Sequence, residues 1–293
     1  MKETFRDCDF QGDSLARIKQ CEEILDNYQE QGLRLTLRQL FYQLVSHHGL
    51  PNTERSYKGL GNLVSKARLA GLLDWDAIED RVRTPKTQQD WSSPASFLDA
   101  ALTVYRLDRW AGQDTYCELW VEKDALAGVL QPLATEYHVT LMVNRGYSSS
   151  SAMYESAKRF IENESGRELI LFYLGDHDPS GEDMVRDVGD RLEMFEVSNL
   201  EVRKLALTME QVKQYKPPPN PATMSDSRAE AYVAKHGRRS WEVDALPPNV
   251  LQAIIRKALD GVVDRDLMNP IIEREKKHRE ALKRAAKRLE GDR

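Results

Sequence analysis

Leu169-Ile-Leu-Phe-Tyr-Leu174 runs straight into Gly175-Asp-His-Asp-Pro-Ser-Gly181, and no other stretch of the chain is as informative. An unbroken apolar run of this length fits a strand buried on both faces, as in the interior of a parallel sheet. The residues after it change character at once. Glycine, two aspartates flanking a histidine, and Pro-Ser-Gly end a strand and open a helix. The spacing predicts a strand over 169–174 and a helix over 181–196.

The alternation continues on both sides. Tyr116-Cys-Glu-Leu-Trp-Val121 and Val139-Thr-Leu-Met-Val143 read as strands, with helices expected over 124–137 and 150–163. Val202-Arg-Lys-Leu-Ala206 closes the series. Strands alternating with helices of this length predict an α/β fold with a mostly parallel sheet covered on both faces.

Acidic residues stand where two of these strands end: Glu122 after the first, Asp176 and Asp178 after 169–174. In an open parallel sheet, groups beyond the carboxyl ends of strands converge where ligands bind. Three carboxylates there repel one another unless a cation sits between them, and hard oxygen donors favour Mg2+ or Mn2+. The chemistry expected of such a site is metal-assisted phosphoryl transfer. The plainer alternative makes Asp178, before Pro179, a helix N-cap, with Asp124 in the same role. His177 is expected to support the site or face solvent rather than bind a metal.

The first part of the chain reads as helices, over Ser14–Gln31, from Thr36, and over Thr53–Gly71, with a short one near Trp75–Asp80. Thr36-Leu-Arg-Gln39 is a capping box. Helix, turn, helix and then a basic hairpin over Arg81–Lys86 is the outline of a winged helix. Arg38 and Tyr42, at i and i+4, share one helix face, and Tyr42 is expected to point away from the apolar stripe centred on Leu37 and Phe41. A guanidinium beside a phenol favours phenolate and can hold a phosphate. The alternative is rim packing, with the phenol merely hydrogen-bonded. Tyr57, on the inward face of its helix, is the nearest rival. Arg55, Lys58, Lys66, Arg68, Arg81 and Arg83 are candidate DNA contacts through phosphate neutralisation; a solvated charged face explains them equally simply.

Further on, Lys216-Pro-Pro-Pro-Asn-Pro221 is a rigid loop and 222–240 reads as a mobile polar stretch. An amphipathic helix carrying Val250, Ile254, Ile255 and Leu259 follows, then a charged, solvated helix over 271–293.

With 293 residues, the chain suggests two domains, 1–95 and 96–293, at roughly 150 residues each. A hydrophobic content of 41% excludes global disorder. No apolar run reaches the roughly 18 residues of a membrane span, and MKETFRDCDF has no apolar signal core, so no membrane partner is expected. Cys8, Cys21 and Cys117 form no CxxC pair, which excludes a cysteine zinc ribbon and fits a reducing cytoplasm. A net charge of -5 means that DNA contact must rest on local patches. Neither a GxSxG elbow around Ser148–Ser151 nor a Walker A loop is present.

Leu119-Trp-Val-Glu-Lys-Asp-Ala125, followed by Leu174-Gly-Asp-His-Asp-Pro-Ser-Gly181, resembles a Toprim domain, and most of all that of the A subunit of topoisomerase VI and its meiotic relatives. Val143-Asn-Arg-Gly-Tyr147 and Ser240-Trp-Glu-Val-Asp-Ala-Leu-Pro-Pro248 resemble further segments of that family. Ser148–Ser151 replace its usual Pro-Asp, and Gln39 stands where it often has an acid. The resemblance implies an N-terminal winged-helix domain followed by a Rossmann-like Toprim domain. It implies Mg2+ on Glu122, Asp176 and Asp178, with Glu122 also in acid/base catalysis. Tyr42 becomes the nucleophile that cleaves double-stranded DNA and keeps a 5′-phosphotyrosyl end, with Arg38 steadying the phosphate. Family habit adds a homodimer, in which the tyrosine of one protomer meets the metal site of the other, and a separate ATPase B subunit. A Toprim nuclease using activated water and a non-catalytic DNA-binding assembly protein remain as alternatives.

Overall fold

The computed structural model describes residues 2–78, 90–144, 148 and 150–291. In chain order these form α1 (Gly12–Glu30), α2 (Leu37–His48), α3 (Glu54–Leu69), α4 (Pro94–Val104), β1 (Thr115–Val121), α5 (Ala127–Tyr137), β2 (Thr140–Val143), α6 (Ser150–Asn163), β3 (Glu168–Leu174), α7 (Pro179–Met194) and β4 (Leu200–Ala206). There follow α8 (Met209–Tyr215), β5 (Asn220–Pro221), α9 (Ala229–His236), β6 (Arg239–Ser240), α10 (Pro248–Asp260) and α11 (Arg265–Gly291). Strands β1 to β4 form one parallel sheet in the order β2-β1-β3-β4. The expected α/β architecture is present, and β5 and β6 make a separate short antiparallel pair.

Side-chain alternation along the strands explains the apolar run of β3. Ile170, Phe172 and Leu174 join Leu119 and Val121 in a core with α5 and α10, while Leu169, Leu171 and Tyr173 join Trp120 in a core with α6 and α7. Because both faces are covered, every position of the run from Leu169 to Leu174 is buried. A third core unites α1, α2 and α3, and Ala245 from a short 3-10 helix (Val243–Ala245) packs into it. That insertion fixes the N-terminal helices against the loop after β6.

The capping box at Thr36 forms as expected, with Gln39 closing it. Residues 75–78 make turns rather than the start of a helix, and Ile78 bridges Leu35. The basic hairpin expected over Arg81–Lys86 lies outside the described residues, and the helices α1 to α3 by themselves do not show a winged helix. The stretch 222–240 is not a mobile linker. It contains α9, whose Ala229 and Tyr232 are buried, and the Tyr232 hydroxyl lies 2.9 Å from the His177 carbonyl and 3.0 Å from that of Arg239. The charged C-terminal helix is not purely solvated either. It starts earlier than expected, at Arg265, packs along α4, and buries Glu275 against Arg109 and the Leu107 N–H. No helix among the described residues is long and apolar enough to cross a membrane.

Candidate active site

Val121 and Leu174 are in register at the carboxyl ends of the two central strands, so Glu122 and Gly175 leave the sheet side by side. The Glu122 N–H donates to the Leu174 carbonyl at 2.8 Å, and the Glu122 Oε2 accepts the Asp176 N–H at 3.0 Å. A Cβ at 175 would lie 2.6 Å from the Tyr173 ring and 2.9 Å from Glu122 Oε2, so any other residue there has to displace both side chains. Gly181 is equally constrained, since a Cβ there would sit 2.3 Å from the Asp176 carbonyl oxygen. Two glycines thus let the loop fold tightly around its own acids.

The three carboxylates are held differently. Asp178 is the N-cap of α7, its Oδ1 accepting the Gly181 N–H at 2.6 Å and the Ser180 hydroxyl at 2.9 Å. The capping role is therefore real and leaves Oδ2 over. Asp176 is 8% exposed. Its Oδ1 accepts the Val243 N–H at 2.9 Å and its Oδ2 pairs with Lys123 Nζ at 2.9 Å. Burial pushes the Asp176 carboxyl up to about 7; Glu122 and Asp244 add to the rise, against Lys123 and the Val243 N–H. Burial likewise raises Glu122, and Asp178 contributes. Asp176 therefore feels Glu122, and Glu122 feels Asp178, as expected of groups sharing one sheet edge.

They do not, however, close into a single ligand sphere among the described residues. Glu122 Oε1 and Asp178 Oδ2 are outside the described hydrogen bonds and are hard oxygen donors of the kind Mg2+ takes. Asp176 can join them only if Lys123 releases its Oδ2. Two of the acids thus offer oxygen donors, while a lysine ammonium neutralises the third.

Lys123 does more than this. Its Nζ also lies 2.5 Å from Glu242 Oε2 and 3.0 Å from Asp244 Oδ1. Arg38 pairs with the same two acids, through its NH2 group with Glu242 and through Nε, 3.1 Å from Asp244 Oδ2. The Arg38 guanidinium in turn donates to the Tyr42 hydroxyl at 3.4 Å. A continuous chain of one hydrogen bond and successive ion pairs thus runs Tyr42–Arg38–Glu242–Lys123–Asp176 within one molecule. Lys123, Glu242 and Asp244 carry no assigned role in the sequence reading. The only signals were the position of Lys123 beside Glu122 and the resemblance of the Ser240–Pro248 segment.

No protein-family model, no curated protein and no solved structure matches this chain.

Tyr42 departs from expectation. It is 3% exposed and packs edge-to-face with Phe41, their ring centroids 5.5 Å apart. Its side chain still lines a cavity of about 240 Å³, shared with Arg38, Asn52, Tyr57, Asn220 and Glu242. Burial pushes the phenol up, and Asp244 and Glu242 push it further, outweighing Arg38 and Lys123. Arg38 does favour phenolate, as expected, but burial first and the two carboxylates second outweigh it. Tyr57, expected to point inward, is half-buried on the wall of the same cavity, edge-to-face with Phe41.

The candidate DNA contacts divide. Arg55, Lys58 and Lys66 are exposed along α3, Lys58 paired with Glu54 at 2.6 Å. Arg68 is instead committed to Trp75, donating to its carbonyl at 2.7 Å and lying 4.3 Å from its ring centroid. Arg81 and Arg83 lie outside the described residues.

Proposed function

We propose that this chain cleaves duplex DNA by transesterification at Tyr42, with Mg2+ held by Glu122, Asp178 and, once Lys123 withdraws, Asp176. The observation that carries the reading is the unbroken link from the Tyr42 hydroxyl through Arg38 and Glu242 to Lys123 and Asp176. It joins a phenol on one element to an acidic sheet edge on another, beside a cavity open to both Arg38 and Tyr42. A divalent cation at the acids supplies charge neutralisation for phosphoryl oxygens. Arg38 holds the phosphate once that phosphate competes with Glu242 and Asp244 for its guanidinium. The Tyr42 oxygen bonds to phosphorus, the bond from phosphorus to the 3′ oxygen breaks, and the phenol proton ends on that departing oxygen. The product is a 5′-phosphotyrosyl end that conserves the bond for resealing. Two chains acting together would cut both strands, and a separate ATPase would be a further partner.

Hydrolysis by activated water is the second reading. It is favoured by the burial of Tyr42 and the upward push on its phenol.

The deciding experiment uses end-labelled duplex DNA and Mg2+, stopped with denaturant. Transesterification leaves label covalently on the protein, and Tyr42→Phe abolishes both adduct and cleavage while Tyr57→Phe keeps them. Free ends with undiminished cleavage in Tyr42→Phe establish hydrolysis instead. The same assay with Asp176→Asn must lose all cleavage; if it does not, the acidic edge is not the reacting site.

A further inference from the structure

We propose that His177, Glu182 and His236 bind one first-row transition-metal dication of the zinc class, at a site separate from the Glu122–Asp176–Asp178 edge. These three residues can bring one ligand atom each to within 4.8 Å of one another, and no other such group occurs among the described residues. They come from three elements: the loop after β3, the first turns of α7, and the last turn of α9. His177 shares its loop with the two aspartates but has different company. Asp176 turns to Lys123 and Val243, Asp178 to the start of α7, and His177 to Tyr232, His236 and Trp241.

The hydrogen bonds of Tyr232 decide which nitrogen of His177 is available. Its hydroxyl lies 2.9 Å from the His177 carbonyl and 3.0 Å from the Arg239 carbonyl, and carbonyls only accept. The single phenolic proton therefore goes to one of them. The contact of 2.8 Å to His177 Nδ1 must then be an N–H donated by the ring to the phenol oxygen. This puts the proton on Nδ1 and the lone pair on Nε2. His177 is 2% exposed, and its Nε2 faces Glu182 Oε1 at 3.9 Å, beyond hydrogen-bond distance. That buried lone pair faces a carboxylate oxygen which the Lys204 ammonium holds at 2.6 Å, so one acceptor nitrogen and one partly neutralised carboxylate meet there. Fixing of the far ring nitrogen by a hydrogen bond is also what orients a metal-binding histidine.

The dimensions allow it. Bonds near 2 Å around a tetrahedral ion separate ligand atoms by roughly 3.3 Å. His177 and Glu182 need to close by about half an ångström, and rotation of the half-buried His236 supplies the rest; its ring stands perpendicular to that of His177 with centroids 4.7 Å apart. Two imidazoles and one carboxylate suit zinc or its neighbours better than Mg2+, and leave one coordination position open. Lys204 Nζ holds Glu182 Oε1 at 2.6 Å and the Asp176 carbonyl at 2.8 Å. The oxygen that faces His177 is the one Lys204 holds, so the ion has to share it with the ammonium or displace the ammonium from it.

The test does not depend on DNA cleavage. The full chain, stripped with chelator, is titrated with Zn2+ by calorimetry and with Co2+ by visible absorption. One equivalent of Zn2+ is expected to bind in the presence of millimolar Mg2+, with the strong visible bands of four-coordinate Co2+. His236→Ala and Glu182→Gln should abolish the stoichiometric event with the circular dichroism unchanged. Tyr232→Phe, which keeps the ring and removes only the acceptor, should weaken it by about tenfold. Glu122→Gln and Asp178→Asn should leave it intact. Absence of stoichiometric binding, binding that survives His236→Ala, or binding lost with Asp178→Asn would each overturn the assignment.

Discussion

Lys123 Nζ lies 2.9 Å from Asp176 Oδ2, so an ammonium belonging to the residue after one candidate ligand neutralises another. The same ammonium serves Glu242 and Asp244. On the proposed function, a divalent cation at the acidic edge would compete with Lys123 for one carboxylate oxygen. The competition has a consequence at a distance: a lysine that leaves Asp176 keeps Glu242 and Asp244, and so alters what Arg38 is paired with.

Lys123→Met makes this competition measurable. Removing one partner from a buried ion pair costs about 3–5 kcal/mol, because the other charge stays behind unpaired. The variant should lose stability of that order in urea denaturation without metal. Millimolar Mg2+ should restore more stability to it than it adds to the parent chain, since the ion no longer has to displace an ammonium. Equal Mg2+ increments in both proteins would show that Lys123 and the cation do not share Asp176.

Gly181 and Gly189 both lie in α7 but should respond oppositely to alanine. At 181 the added Cβ meets the Asp176 carbonyl oxygen at 2.3 Å, a backbone atom that cannot swing aside. Gly181→Ala should destabilise the chain by about 1–3 kcal/mol and disturb the Asp176–Asp178 loop. At 189 the nearest atom is Val202 Cγ2, at 3.7 Å, an ordinary contact. Gly189→Ala should stabilise by about 0.5–1 kcal/mol through helix propensity alone. Denaturant midpoints of the two variants decide the matter; a neutral Gly181→Ala would contradict the tight loop.

Glu242 sets an acid limit on stability. Burial alone would raise its carboxyl, but Lys123 and Arg38 hold it down at about 2. A carboxyl depressed in the fold contributes stability that is fully present above its unfolded value, near pH 4.5, and is lost as the pH falls towards 2. The loss should be on the order of 3 kcal/mol for this one group. Glu242→Gln should be less stable at neutral pH and show a flatter pH dependence between 4.5 and 2. Parallel acid profiles for parent and variant would remove Glu242 from the network.

The parts of the fold and site that could be read from sequence are those written in local pattern. The Leu169–Leu174 run gave β3 because both sheet faces bury it, and Glu122, Asp176 and Asp178 could be placed at strand ends from the alternation alone. Lys123, Glu242 and Asp244 were not legible, because their pairing joins residues 119 and 121 positions apart along the chain. Tyr42 was misplaced for a related reason. A single apolar stripe assumes one buried face, whereas α2 packs on α1 and α3 and also meets the 3-10 helix Val243–Ala245, which buries Gln39, Tyr42 and Gln43 as well. Helix α9 went unseen because only Ala229 and Tyr232 mark its inward face.

The exposed side of α3 offers a test of DNA contact that separates it from mere surface charge. Arg55, Lys58 and Lys66 project from that helix into solvent, whereas Arg68 is held by the Trp75 carbonyl and ring. Each residue that neutralises one phosphate steepens the dependence of binding on salt by about 0.9 in log–log slope. Replacing Arg55, Lys58 or Lys66 by alanine should weaken duplex binding similarly for all sequences and make that slope shallower by about this amount per residue. Arg68→Ala should instead lower stability by about 0.5–1 kcal/mol through the lost contact with Trp75, with the slope unchanged. Fluorescence anisotropy across a salt series reads the first effect and thermal unfolding the second. If the slope is indifferent to all three exposed residues, DNA does not bind across α3, and the α3 face is simply solvated.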